Sequence, residues 1–218
     1  PQRPDELHHD SPFFRQHGKD IEKLHNLYLN ILSVLPKERG IVVEFIGSLR
    51  GEGTSTLIRE FAKFLAKRSN KKVLLLDADT HQPTQCRAFG ITPRHGLKDV
   101  VENGSDLDKA VVRLADTQLY ISQIVLTPSP LAFFDTLQFD TILRGLMSDY
   151  DFLLIDAPPA ESSQDGMVLS RKVDGVVMIV EAERELLRAA KAQDRPPLAL
   201  ERVQHRVIPA EHVPAQSV

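Results

Sequence analysis

The chain has 218 residues, of which 42% are hydrophobic and 26% charged, a composition typical of a globular protein with a sizeable core. Lys and Arg number 27 against 30 Asp and Glu, and this slight acidic excess disfavours nucleic acid as a partner. The single cysteine excludes an internal disulfide framework and a cysteine-built metal site. No apolar run approaches the roughly 20 residues of a membrane-spanning helix, so we expect a cytoplasmic protein without a transmembrane segment.

The first half of the chain alternates helices with apolar strands. Residues 1–18 are rich in proline and charge and predict a flexible arm, after which residues 20–34 have the three-to-four spacing of a helix. Strands are predicted at residues 41–46 and 72–77, on either side of a helix at residues 55–67. These strands are apolar at nearly every position, as a sheet covered on both faces requires.

The second half continues the alternation. Its predicted helices cover residues 96–102, 106–114, 136–148 and 183–193, with one more between the last two strands, and its predicted strands cover residues 119–122, 152–156 and 174–180. Residues 195–218 have no helical period and predict a tail that packs late or not at all. We therefore predict an α/β domain at residues 19–194, with a doubly wound, mainly parallel sheet and helices on both faces.

A glycine-rich turn joins the first predicted strand to the next helix. It reads Gly-Ser-Leu-Arg-Gly-Glu-Gly-Thr-Ser-Thr from residue 47 to residue 56, and such a turn aims backbone N–H groups at phosphate oxygens. Ser55 stands where a hydroxyl ligates Mg²⁺. The predicted nucleotide-binding residues are Arg50, Gly51, Glu52, Gly53, Thr54, Ser55 and Thr56.

This loop lacks its usual cation, because the regular motif has Lys where the chain has Thr54. Hydrogen bonds from that Lys are charge-assisted and contribute about 1.5–3 kcal/mol each. Arg50, four residues upstream, is the nearby cation. The alternative interpretation is an ordinary glycine-rich turn between a strand and a helix.

Aspartates stand at the ends of two apolar strands. Asp77 and Asp79 follow the second predicted strand, and Asp156 ends the one that begins at Phe152. The carboxyl ends of parallel strands form the ligand crevice of an open sheet, where carboxylates, a hydroxyl and substrate phosphates hold Mg²⁺. A single aspartate at such a position also caps helices or forms turns. The three acids together with the loop predict a site for ATP or ADP with Mg²⁺.

These motifs, in this order, resemble those of the bacterial tyrosine kinases (BY-kinases) of capsule and exopolysaccharide biosynthesis, within the MinD-like class of P-loop proteins. Residues 51–56 resemble that family's G-E-G-K-S-T loop, residues 73–83 its second acidic motif, and residues 150–159 its Walker B strand. Residues 96–101 and 174–180 are similar to two further family segments. The resemblance covers about residues 20–193.

The resemblance implies roles for individual residues. Asp77 corresponds to the catalytic carboxylate that activates the acceptor tyrosine, and Ser55, Asp79 and Asp156 correspond to the residues that organise Mg²⁺. Three residues of the first helix correspond to the family's oligomerisation element E-x-x-R-x-x-R, which implies a homo-oligomer: Glu22, His25 and Tyr28.

Every departure from the family pattern removes either a positive charge or tyrosines that would be phosphorylated. Thr54 replaces the loop Lys, His81 replaces the arginine of the second acidic motif, and His25 and Tyr28 replace both arginines of the oligomerisation element. The last tyrosine is Tyr150, whereas the family's tail carries a tyrosine cluster. Because phosphoryl transfer depends on positioned cations, we predict a degenerate, pseudokinase-like regulatory partner of a membrane polysaccharide co-polymerase, held by its cytosolic segment at the inner face of the cell membrane.

Two other functions fit the residues. One is an active, ATP- and Mg²⁺-dependent protein-tyrosine kinase or ATPase of the same pathway, in which Arg50 or a neighbouring subunit supplies the missing charge. The other is a MinD-like ATPase of positioning or cofactor assembly, which is disfavoured because Leu49 stands where that class has its signature lysine.

Overall fold

A computed structural model describes residues 12–35, 40–93, 95–104, 106–124, 130–180 and 204–209. The helices are α1 (Pro12–Val34), α2 (Thr54–Arg68), α3 (Gln85–Ala88), α4 (Leu97–Asn103), α5 (Leu107–Ala110), α6 (Pro130–Phe134), α7 (Leu137–Asp149) and α8 (Asp165–Leu169). The strands are β1 (Ile41–Gly47), β2 (Val73–Asp77), β3 (Val112–Arg113), β4 (Leu119–Gln123), β5 (Phe152–Asp156), β6 (Gly175–Val180) and β7 (Gln204–Pro209).

The strands form one seven-stranded sheet in the order β3-β4-β2-β5-β1-β6-β7. The five central strands pair in parallel, and β3 and β7 pair antiparallel at the two edges. The register sets Asp77 on β2 opposite Asp156 on β5. Since β5 also pairs with β1, the glycine-rich loop after β1 and the two aspartates meet at the carboxyl edge of the sheet.

Helices cover both faces of the sheet. Leu27 of α1 and Phe61 of α2 belong to the apolar cluster on one face, and Leu143 of α7 and Leu169 of α8 belong to the cluster on the other. All four side chains are buried. Double coverage explains why the central strands are apolar at nearly every position, and it confirms the predicted doubly wound fold.

Three local predictions differ from the structure. Helix α1 begins at Pro12, inside the predicted arm, where a proline is favoured because first-turn N–H groups have no helical acceptor. Residues 204–209, inside the predicted tail, pair along β6. The predicted helix at residues 106–114 ends at Ala110, because residues 112–113 pair with β4.

The predicted helix at residues 183–193 lies outside the described residues, as do the rest of the arm and tail. Within the part of the chain that the structure describes, no helix combines the length and the apolar character that a bilayer span requires.

The amino end of the sheet, opposite the predicted site, holds the chain's three tyrosines. Tyr120 is the second residue of β4, and Tyr150 shortly precedes β5. Lys72 Nζ lies over both rings, 5.4 Å and 4.7 Å from their centroids. The ring of Tyr28 on α1 is 6.0 Å from that of Phe152. Burial raises the pKa of Tyr150 to about 12, so its hydroxyl stays protonated.

Candidate functional site

The glycine-rich loop curls between β1 and α2. Gly51 and Gly53 have φ angles of 88° and 85°, left-handed values that glycine adopts without steric cost. Helix α2 begins at Thr54, and the N–H groups of Thr56 and Leu57 both donate to the carbonyl of Gly53. The N–H groups that precede these first helical bonds are directed out of the helix toward the loop, which is the arrangement that binds phosphate.

A cavity of about 340 Å³ lies in front of the loop, within the size range of small-molecule sites. It is lined by all the residues predicted to bind nucleotide: Arg50, Gly51, Glu52, Gly53, Thr54, Ser55 and Thr56. Asp79, Gln82 and Thr84 line it from the segment after β2. Among the described residues that line this cavity, Arg50 is the single Lys or Arg, and its side chain is exposed.

Two buried side chains turn back into the loop. The Glu52 carboxylate accepts hydrogen bonds from the Ser48 hydroxyl at 3.0 Å and from the Leu49 N–H at 2.8 Å. The Thr54 hydroxyl lies so close to Gly47 that a Cβ on Gly47 would approach it to 2.7 Å. Glu52 therefore holds the shape of the loop, and residue 54 brings a hydroxyl instead of a cation to its interior.

Asp77, the acid predicted to be catalytic, is fully buried and does not line the cavity. Its carboxylate accepts hydrogen bonds from the N–H groups of Asp79 at 3.3 Å, Thr84 at 2.7 Å and Gln85 at 2.8 Å. Burial raises the pKa of Asp77 to about 6, although these backbone bonds lower it. In this conformation Asp77 fastens the segment that follows β2.

Asp156, like Asp77, is fully buried and is not among the residues that line the cavity, but one of its oxygens has no hydrogen-bond partner among the described residues. Oδ2 accepts a hydrogen bond from Gln85 Nε2 at 2.6 Å, whereas buried Oδ1 has no hydrogen-bond partner among the described residues. Burial, and next the charge of Asp77, raise the pKa of Asp156 to about 7, while hydrogen bonds from Gln85 and Ser55 lower it. A carboxylate oxygen without a partner, beside a hydroxyl, is a donor set that Mg²⁺ completes with phosphate oxygens and water.

These residues therefore fit Mg²⁺ bound together with a nucleotide. Nowhere in the described ranges do three His, Cys, Asp or Glu side chains converge as a metal site. An ion held by Ser55 and Asp156 accordingly depends on the phosphates for its remaining ligands.

The third predicted acid, Asp79, is half-buried and lines the cavity. Its Oδ1 accepts hydrogen bonds from the N–H groups of His81 at 3.0 Å and Gln82 at 2.9 Å, which form a tight turn after β2. His81, in the place of the family's arginine, has Nε2 3.6 Å from Oδ2 of the buried Asp165 on α8. The turn thus follows β2 directly and lies near α8.

Sequence reasoning missed Gln85, the first residue of α3, although its side chain is fully buried in the site. Gln85 Nε2 donates to the Ser55 carbonyl at 2.9 Å as well as to Asp156, and Gln85 Oε1 accepts from Arg59 Nε at 2.9 Å. The one signal in the sequence is an uncharged polar residue soon after the second acidic motif.

The predicted oligomerisation residues lie on α1, away from the cavity. Glu22 and His25 are exposed, and Tyr28 is half-buried against Phe152 at the amino end of β5. The His25 ring also lies 6.2 Å from that of Phe64 on α2. Homo-oligomer formation through these residues stays a prediction.

With this geometry established, comparison with known proteins identifies the family. A family profile described as AAA domain matches residues 42–190, a region that includes the loop, both buried acids and Gln85. The chain belongs to this AAA domain family.

Relatives of this AAA domain are tyrosine-protein kinases. The chain is 30% identical to the tyrosine-protein kinase YwqD of Bacillus subtilis over 146 residues. This aligned region covers 66% of this chain and 61% of YwqD, so the chain spans less than two thirds of that protein. It is 27% identical over 182 residues to CpsD of Streptococcus agalactiae, 81% of this chain and 78% of CpsD. The predicted resemblance to bacterial tyrosine kinases is confirmed.

Solved structures share the fold. The chimerical protein CapA2B2 has a TM-score of 0.70 at 22% identity, with 86% of this chain and 80% of that chain covered. The septum site-determining protein MinD of Pyrococcus horikoshii, complexed with Mg-ADP, has a TM-score of 0.56 at 19% identity, with 73% and 67% covered. These likenesses confirm the MinD-like P-loop fold.

Proposed function

We propose that this chain is a nucleotide-binding, tyrosine-kinase-like P-loop protein that acts as a regulatory partner in capsule or exopolysaccharide biosynthesis, with little or no phosphoryl transfer of its own. The observation that carries this proposal is Thr54, whose buried hydroxyl occupies the interior of the loop where the resembled kinases have lysine. Phosphoryl transfer is stabilised by cations placed at the phosphates, and the cavity is lined by one exposed arginine, Arg50, within the described residues.

In this proposal the loop and the strand ends bind a nucleotide with Mg²⁺. The backbone N–H groups at the start of α2 bind the phosphates, and Ser55 and Asp156 Oδ1 hold the ion, with Asp79 at the cavity wall. The bound ion supplies the positive charge that offsets the phosphate oxygens. Nucleotide then serves as a structural or regulatory ligand of the domain.

The partner in this proposal is the cytosolic segment of a membrane polysaccharide co-polymerase, which would hold the chain at the inner face of the cell membrane. The support is the resemblance to BY-kinases and the kinase relatives. Self-association through Glu22, His25 and Tyr28 is part of the same proposal, supported by the exposure of Glu22 and His25 on α1.

An active tyrosine kinase or ATPase is the second candidate. The observation that favours it is the retained acid pair, because Asp77 and Asp156 stand opposite each other in the register and Asp156 keeps an oxygen for Mg²⁺. In that case Arg50 or a neighbouring subunit supplies the charge that Thr54 does not.

The test is calorimetric titration of Mg-ATP and Mg-ADP into wild type and Thr54→Lys. We expect weak binding by wild type and about 10- to 150-fold tighter binding by Thr54→Lys, the effect of one charge-assisted hydrogen bond of about 1.5–3 kcal/mol. Gln138→Lys, on the exposed surface of α7, is the matched control because it adds the same charge away from the cavity, and its affinity should equal that of wild type.

Two outcomes contradict the regulatory proposal. Micromolar binding by wild type together with phosphotyrosine on the purified protein, detected by mass spectrometry, would establish the active kinase. An unchanged affinity in Thr54→Lys would mean that the loop does not receive phosphates in the way that its curled backbone indicates.

A further inference from the structure

We infer that Gln85 is a positioning residue that links the charge of Arg59 to Asp156 and so orients the carboxylate that holds Mg²⁺. This inference rests on the proposed nucleotide function. Neither Gln85 nor Arg59 belongs to the glycine-rich loop or to the acidic motifs, and neither lines the described cavity.

The three side chains form a continuous hydrogen-bonded relay. Arg59 Nε donates to Gln85 Oε1 at 2.9 Å, and Gln85 Nε2 donates to Asp156 Oδ2 at 2.6 Å. The arginine fixes which way the amide faces, because a flipped amide would set its NH₂ group against the Arg59 N–H. A cation that donates to an amide oxygen also strengthens the donors on the amide nitrogen, since hydrogen bonds in a chain polarise one another.

The same residue joins the other parts of the site. Gln85 Nε2 donates its second hydrogen bond to the Ser55 carbonyl at 2.9 Å, and the backbone N–H of Gln85 donates to Asp77 Oδ2 at 2.8 Å. Gln85 therefore contacts both buried acids and the first turn of α2. Its burial is complete, so water does not compete for these bonds.

The geometry assigns one oxygen of Asp156 to the relay and leaves the other for a ligand. Oδ2 is bound by Gln85, and buried Oδ1 has no partner among the described residues. Arg59 lies one helical turn after Ser55 on α2, so the helix that starts at the phosphate loop also carries the cation that orients the acid.

The first experiment needs no nucleotide. In ¹⁵N-labelled wild type, the Gln85 side-chain NH₂ signals are assigned by their absence in Gln85→Met. We expect Arg59→Met to shift these signals and Arg68→Met to leave them in place, because Arg68 is exposed at the far end of the same helix. Unshifted signals in Arg59→Met would overturn the relay, whether or not the chain binds nucleotide.

The second experiment measures the Mg²⁺ concentration that half-saturates ADP binding at fixed ADP. We expect about a tenfold increase in Gln85→Met and in Arg59→Met, which corresponds to about 1.4 kcal/mol, and no change in Arg68→Met. Arg59→Lys should recover most of the wild-type value because Lys also donates to Oε1. A general loss of structure would weaken binding at all Mg²⁺ concentrations instead of shifting the half-saturation point.

The two arms separate the inference from the proposed function. Absence of Mg-ADP binding in wild type would refute the proposed function, and the NMR result would still decide the relay. Normal Mg²⁺ dependence in both Gln85→Met and Arg59→Met would refute the positioning role. If Gln85→Met does not fold, Arg59→Met decides the question, since its side chain is half-buried and leaves the core packing in place.

Discussion

Replacing Asp156 by Asn should stabilise the protein at neutral and higher pH while removing its Mg²⁺ ligand. Burial and the neighbouring Asp77 raise the pKa of Asp156 from 3.8 to about 7. Because the folded chain holds the proton more tightly than the unfolded chain, the free energy of unfolding falls as pH rises from about 4 to about 7. Asn carries no charge, so the variant avoids this loss.

The size of the effect follows from the pKa. A tenfold change in proton affinity corresponds to about 1.4 kcal/mol, so a pKa of about 7 in place of 3.8 lowers the free energy of unfolding by about 4 kcal/mol above pH 7. An Asn amide beside Asp77 and Gln85 leaves one group without a proper partner, which costs about 1–2 kcal/mol at any pH. We expect Asp156→Asn to be about 2–3 kcal/mol more stable than wild type at pH 8 and slightly less stable at pH 4.

Urea unfolding followed by circular dichroism checks this, since the chain has no tryptophan to report by fluorescence. Asp135→Asn is the control, because Asp135 is exposed and its replacement should change stability little at either pH. The same Asp156 variant should lose Mg²⁺-dependent nucleotide binding. A stability difference between Asp156→Asn and wild type that is the same at pH 4 and pH 8 would refute the reasoning.

Three further predictions concern β1 and the loop that follows it. Glu44 on β1 is fully buried, and neither of its carboxylate oxygens has a partner among the described residues. Burial raises the pKa of Glu44 well above the usual range, so the free energy of unfolding of wild type falls as the pH rises. In urea unfolding, Glu44→Gln should show a smaller fall between pH 4 and 8 and a free energy of unfolding at pH 8 that is higher by about 1 kcal/mol or more. Equal pH profiles for the two proteins would contradict this. A Cβ at Gly53 meets nothing within 4 Å, so Gly53→Ala should lower the free energy of unfolding by about 1–2 kcal/mol through its left-handed φ alone. A Cβ at Gly47, in contrast, meets the Thr54 hydroxyl at 2.7 Å. Gly47→Ala should therefore lower the free energy of unfolding by about 1–3 kcal/mol, and adding Thr54→Ala should recover part of that loss. If thermal unfolding shows no recovery in the double variant, the contact with Thr54 is not the cause.

The central strands are predictable from sequence because burial on both faces leaves a continuous apolar run, as in β1, β2 and β5. The edge strands are not. β7 begins with the polar residues Gln204, His205 and Arg206, so its sequence does not show the apolar run of a central strand. Its place in the sheet depends on backbone pairing with β6, and such pairing does not require a particular residue pattern. β3 is two residues long, too short to show an alternating pattern, so the sequence predicts a helix over residues 106–114 instead.

The site follows the same division. The loop and the acids form local motifs of neighbouring residues. The sequence alone therefore indicates the loop residues and Asp79, which line the cavity. Gln85 contacts Ser55 and Asp156, which are 30 and 71 positions away in the chain, and only the register of β2 with β5 brings them together. Nor does sequence show that Asp77 is covered by the N–H groups of Thr84 and Gln85.

The tyrosines at the amino end of the sheet bear on any kinase chemistry in this family member. Tyr150 and Asp156 are separated by a nearly extended stretch that spans about 20 Å at roughly 3.3 Å per residue. Tyr120 packs against Lys72 and Tyr150, and Tyr28 packs against Phe152. A γ-phosphate seated in the loop could not meet any of these hydroxyls within one folded molecule. None of these three tyrosines could therefore receive such a phosphate within its own molecule.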